Sequence, residues 1–196
     1  MIDSAMIDGA ASLMSMFFSM AAMGRFTDQR GTNLLDGGAP FYDTYETSDG
    51  KYVSLGSIEP QFYALLKEKA GLDEETFGAQ HDASRWVSQK EKLTAIMKSK
   101  TRDEWCEIME GSDVCFAPVL SIFEAPDHPH NKHRNGFLNI DGVVQPAAAP
   151  RFSRTAPEVR HGPRMEGQDS EAVLSAAGFS AEKIAELKAS KVIPGA

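Results

Sequence analysis

The sequence predicts an α+β protein: a small mixed α/β domain with short sheets and peripheral helices, flanked by an N-terminal apolar helix and C-terminal helical arms. Three observations carry this. Phe41 to Glu46 and Lys51 to Leu55 alternate large and polar residues on either side of Ser48-Asp49-Gly50, which is hairpin chemistry. Later segments place apolar residues at helical spacing with charges opposite them. Both ends of the chain read as helix, without strand alternation.

In order, Ser4 to Met23 reads as one helix whose apolar residues (Met6, Ile7, Leu13, Met14, Phe17, Phe18, Met20) lie on all sides. Such a helix is normally surrounded by protein. Residues 27–40 form a loop with Gly31, Gly37 and Gly38. The hairpin follows, and then Glu59-Pro60 as a helix start, since Pro in the first turn loses no intrahelical bond. Gln61 to Ala70 is amphipathic, with Phe62, Leu65 and Leu66 opposite Lys67 and Lys69. Asp82 to Lys98 contains a second amphipathic helix. Thr101 with Glu104 three residues on is a capping box, opening a helix that runs to about Glu110.

Val114 to Leu120 reads as a strand whose Pro118 confines it to an edge or bulge. Short helices are expected at Ser121 to Ala125 and Asp127 to Arg134. Phe137 to Ile140 and Val143 to Gln145 make a second hairpin around Asp141-Gly142. Pro146 to Gly167 is Pro- and Ala-rich and reads as an extended linker. Two helices, Asp169 to Ala177 and Ala181 to Ala189, finish the chain. The expected organisation is 1–38 as apolar helix and linker, 39–146 as the small α+β domain, and 147–196 as linker and C-terminal helices.

The 196 residues are 42% hydrophobic and 24% charged, the composition of a globular protein able to bury a core. The net charge of −8 and the lack of a basic stripe argue against nucleic acid. The apolar run from Gly9 to Gly24 is shorter than the roughly 20 residues needed to span a bilayer. It follows Asp3 and Asp8 rather than a basic segment, so a signal peptide is not indicated. Cys106 and Cys115 are too few for a disulfide framework and read as buried thiols of a cytoplasmic protein.

The chemistry-bearing residues are few. Glu59 is a carboxylate delivered by a hairpin to a helix N-terminus. It reads either as a cap or as a functional group. His128, His130 and His133 are close in sequence, but no second Cys or His segment completes a metal site, and a solvated helix start is the plainer reading. Asp36-Gly37-Gly38 lacks the strand and helix that would frame a phosphate loop. Arg151, Arg154, Arg160 and Arg164 are spread along the linker, where solvated charge is the ordinary reading and contact with CoA phosphates the alternative. Ser153 has no base context for a hydrolase triad.

Several of these stretches together carry a resemblance: LDGGAPFYDTYETSDGKYVSLGSIEPQFY (35–63), TRDEW (101–105), SDVCFAPVLSIFEAPDHPHNKHR (112–134), QPAAAPRFSRT (145–155) and GFSAEKIAELKASKVI (178–193). They are similar to the C-terminal half of 2-methylacyl-CoA racemases, within the class III CoA-transferase superfamily. The resemblance implies an isomerase of fatty acid metabolism that epimerises the α carbon of 2-methylacyl-CoA thioesters by abstracting and returning a proton. The CoA thioester is then the substrate, and no further cofactor is implied.

In those enzymes the proton-transferring His and Asp belong to a large N-terminal domain, and neither motif is found in these 196 residues. What carries over is Glu59 in SIEPQF, which matches a carboxylate supporting the catalytic His across a subunit interface. Tyr42 in APFYDTY matches an acyl-pocket wall, and Ile58 either lines the same wall or belongs to the core. Implied partners are an acyl-CoA and a second copy of the chain in a homodimer or larger assembly, or a companion chain carrying the N-terminal domain. Residues 1–196 alone are expected to be inactive. A class III CoA-transferase and a non-catalytic assembly domain are the alternatives.

Overall fold

A computed structural model describes residues 2–194. It is a mixed α/β structure of short antiparallel sheets and several helices, as the sequence predicts. The chain divides into two units, one ending at Leu120 and one beginning at Ser121. The second hairpin, placed by sequence within 39–146, thus belongs to the second unit.

The first unit is built on a three-stranded antiparallel sheet of β1 (Tyr42–Glu46), β2 (Tyr52–Gly56) and β3 (Phe116–Val119), in that order. The turn forms as its residues dictate. The Thr47 N–H donates to the Lys51 carbonyl at 2.9 Å, and Gly50 takes φ +73°. Opposite pairs Tyr45–Val53 and Asp43–Leu55 turn Tyr45, Val53 and Leu55 into the core. β3 lies at the edge, where Pro118 is tolerated.

Four helices cover this face: α3 (Pro60–Ala70), α4 (Glu74–Phe77), α5 (Trp86–Met97) and α6 (Arg102–Met109). Tyr63, Leu66, Phe77, Leu93, Met97, Trp105 and Met109 are buried among them. Phe41 is the aromatic centre, with edge-on rings of Tyr63 at 5.5 Å and Trp86 at 6.0 Å. Buried aromatic polar atoms all find carbonyls: Tyr63 Oη bonds Phe77 at 2.8 Å, and Trp105 Nε1 bonds Met97 at 2.8 Å. Burial pushes the Tyr63 phenol up to about 12. The Thr101–Glu104 capping box forms as read. The short α4 turn is capped by Asp73, whose carboxylate accepts the Thr76 N–H.

The apolar N-terminal segment is two helices, α1 (Met6–Leu13) and α2 (Ser15–Ala22), not one. Met14 breaks the ladder with φ −82° and ψ 0°, its N–H shared between Ala10 and Ala11. Nothing at Met14 announces the break, since Met is a good helix former. Met6, Leu13 and Phe18 are 92%, 83% and 68% exposed.

In the second unit Ser121 to Ala125 is not a helix. Ser121 and Glu124 bond each other's backbone N–H groups in a turn, and a 3₁₀ turn follows at Ala125–Asp127. The exchange has the form of a capping box, but Pro126, which has no N–H to continue the ladder, stops the helix after one turn. Then come α7 (Pro129–His133) and the β4 (Phe137–Ile140) and β5 (Val143–Pro146) hairpin. Asp141 and Gly142 both adopt positive φ in its turn. Residues 147–165 carry neither helix nor strand. The helices α8 (Ser170–Ala176) and α9 (Ala181–Ala189) are joined by the Lys188–Glu171 ion pair at 2.5 Å. Among the described residues no helix is long and apolar enough to cross a membrane.

Candidate functional site

The register of the sheet leaves Tyr42, Thr44, Ser54, Gly56 and Ala117 on the face opposite the core. That face floors a cleft of about 480 Å³, to which Leu35, Asp36, Gly37, Asp43 and Cys115 also contribute. Tyr42 is one of the residues that line this cleft. A Cβ on Gly56 would make only ordinary contacts, 3.6 Å from the Cys115 carbonyl and 3.9 Å from the Tyr42 ring.

The far wall depends on the Asp36 loop. The Asp36 carboxylate accepts from the N–H groups of Gly31 at 3.1 Å and Asn33 at 2.8 Å, and from Asn33 Nδ2 at 2.7 Å. Burial opposes its charge, but these bonds and one from Gly38 prevail and hold the carboxyl below the ordinary range. Lys90 on α5 bonds the Gly37 carbonyl at 2.6 Å and pairs with Asp43, tying loop, strand and helix together. Asp36 thus folds its own loop.

Glu59 occupies the N-cap position of α3 with φ −71° and ψ 143°, and Pro60 opens the helix as predicted. Its side chain makes no capping hydrogen bond. The carboxylate is exposed. The segment before it is held firmly: Ser57 Oγ donates to the Val114 carbonyl at 2.5 Å, and the Gly56 N–H donates to the Cys115 carbonyl at 2.8 Å. Ile58 is partly buried against the core, and its N–H bonds the Gly56 carbonyl at 2.9 Å in a three-residue turn.

Cys115 corrects a sequence expectation. It is exposed, not buried, because φ +56° between buried Val114 and β3 turns its side chain out. Partial desolvation pushes its thiol up, with the charges of Glu59 and Asp113 adding to this. Glu59 and Cys115 are therefore electrostatic neighbours. Cys106 is partly buried, and burial first, then Glu110 and Asp103, raises it to about 11.

The other candidates belong to the second unit. Among the described residues no group of three or more His, Cys, Asp or Glu is arranged to hold a metal. His130 and His133 belong to α7 in the second unit, and His128 is its N-cap residue. Two of the linker arginines have structural partners: Arg151 bonds the Asn135 carbonyl at 3.0 Å and Arg164 pairs with Asp169 at 3.5 Å.

This sheet-and-helix arrangement is that of a known fold. A CAIB/BAIF family protein from Brucella suis superposes with a TM-score of 0.59 at 18% identity, over 89% of this chain and 47% of that one. The chain itself belongs to CoA-transferase family III, whose pattern matches residues 1–170. It is 41% identical to the alpha-methylacyl-CoA racemase of Mus musculus and 38% identical to that of Homo sapiens, over 98% of its own length in each case. It spans about half of these relatives, 51% of each.

Proposed function

We propose that the chain supplies the small-domain side of an acyl-CoA site that epimerises the α carbon of 2-methylacyl-CoA thioesters. The observation that carries this reading is the 38–41% identity to alpha-methylacyl-CoA racemases across nearly the whole chain. The reaction removes the proton α to the thioester carbonyl and returns it to either face, so it needs two proton-exchanging groups. Glu59 serves neither transfer. It orients a histidine and favours its charged form, and Tyr42 walls the acyl pocket. The proton-transfer pair comes from outside residues 1–196, which alone have no turnover. The exposed α1 and α2 surfaces support an assembly of two or more chains, or a companion chain. Two free thiols suit a reducing cytoplasm.

CoA transfer to a free acid is the second reading, favoured by the family's own description. Product analysis separates the two. Residues 1–196 are mixed with the N-terminal half of a racemase relative and given a single-epimer 2-methylacyl-CoA in deuterated water. Epimerisation with α-deuterium uptake in the mixture is expected. CoA passing to an added acid without epimerisation would establish the transferase reading.

A further inference from the structure

The connection between β2 and α3 is three residues long, Ser57 to Glu59, and a side chain distant in sequence grips it. Gln80 stands in the loop between α4 and α5. Its Nε2 donates to the Ser57 carbonyl at 3.1 Å and to the Ile58 carbonyl at 2.8 Å. Gln80 is itself only 9% exposed, and its own carbonyl accepts the Trp86 indole N–H at 2.9 Å. Trp86 packs edge-on against Phe41, whose carbonyl accepts the Ser57 N–H at 3.0 Å. The circuit Ser57–Gln80–Trp86–Phe41 closes on itself, and Glu59 lies two residues beyond Ser57.

We propose that Gln80 is a positioning residue for Glu59: its amide clamps two consecutive carbonyls and fixes the point from which the carboxylate leaves the scaffold. The significance for catalysis rests on the supporting role proposed for Glu59. Capping cannot place the carboxylate, because the side chain makes no cap bond. Two successive carbonyls bonded by one amide leave the peptide plane between Ile58 and Glu59 little freedom to rotate. Without the donor, both carbonyls lose a buried partner, and the segment turns toward water to recover one.

Cys115 provides a ruler. Glu59 and Asp113 are the charges that raise its thiol, while Asp43, in the cleft it lines, is paired with Lys90. The pH profile of Cys115 alkylation by iodoacetamide, resolved by peptide mass, is measured for the full chain and for Glu59→Gln, Gln80→Met and the double variant. Glu59→Gln should lower the midpoint by roughly a few tenths of a pH unit. Gln80→Met should lower it by most of that amount, and the double variant should match Glu59→Gln alone.

An unmoved midpoint in Gln80→Met overturns the proposal, as does a Gln80→Met shift that persists in the Glu59→Gln background. An unmoved midpoint in Glu59→Gln overturns it too, because Glu59 would not then be held beside Cys115. If Gln80→Met fails to fold, Gln80→Asn, which keeps the donor but shortens its reach, takes its place. The unaltered chain also decides by amide exchange. Slow exchange of the Gln80 Nε2 protons is expected, and exchange as fast as a free glutamine overturns the clamp. No substrate enters these measurements, so their failure and the failure of the racemase reading are separately visible.

Discussion

The Ser57 hydroxyl donates to the Val114 carbonyl at 2.5 Å across 57 residues of sequence. It joins the segment that carries Glu59 to the segment that carries Cys115, and both groups are completely buried. Ser57→Ala leaves that carbonyl without its partner. The expected cost is about 1–3 kcal/mol, read as a lower urea midpoint at unchanged slope. A midpoint within error of the parent would mean that water replaces the hydroxyl there.

Phe41 is fully buried and meets three rings, those of Tyr63, His81 and Trp86. Phe41→Ala should destabilise the first unit by about 3–5 kcal/mol, the usual range for a buried aromatic removed from a core. Chemical denaturation followed by tryptophan fluorescence checks this, because Trp86 reports from the same cluster.

Acid should unlock the Asp36 loop. The folded-state pKa of Asp36 lies below its ordinary value of 3.8, so its contribution to stability is present above 3.8 and is lost as pH falls through the folded value. The stability difference between the parent and Asp36→Asn should therefore shrink as pH drops below 3.8. Denaturation midpoints at a series of pH values test this, and a difference that grows toward acid would contradict the assignment.

Assembly has its own test. Leu13 and Phe18 are 83% and 68% exposed, an apolar surface that isolated chains seldom leave open. Light scattering at micromolar concentration should give a dimer or larger species, and Leu13→Ser with Phe18→Ser should lower the mass without unfolding the sheet. A stable monomer in the unaltered chain would remove the assembly proposal. Phe17 is the poorer target, because its ring already packs on Phe26 at 5.6 Å.

What was legible in the sequence is local. The β1–β2 turn, the Thr101–Glu104 box and the Pro60 helix start are each written in two to five adjacent residues, and each forms as read. The cleft was not legible. Its floor depends on β3 pairing Ala117 with Ser54, a register set by packing between distant segments. Gln80 sits in a loop without periodicity, and no pattern marks an amide that reaches back 22 residues to Ile58. The break at Met14 lacks any helix-breaking residue. The exposure of Cys115 follows from one positive φ that composition does not reveal.

The central claim is that Glu59 supports a proton-transferring histidine in an acyl-CoA site. Its most direct test is Glu59→Gln in the reconstituted mixture, following α-deuterium uptake. The account predicts a kcat lower by roughly tenfold to a hundredfold, about 1–3 kcal/mol, with little change in KM. An unchanged kcat would contradict it and leave Glu59 as an exposed carboxylate with no part in the reaction.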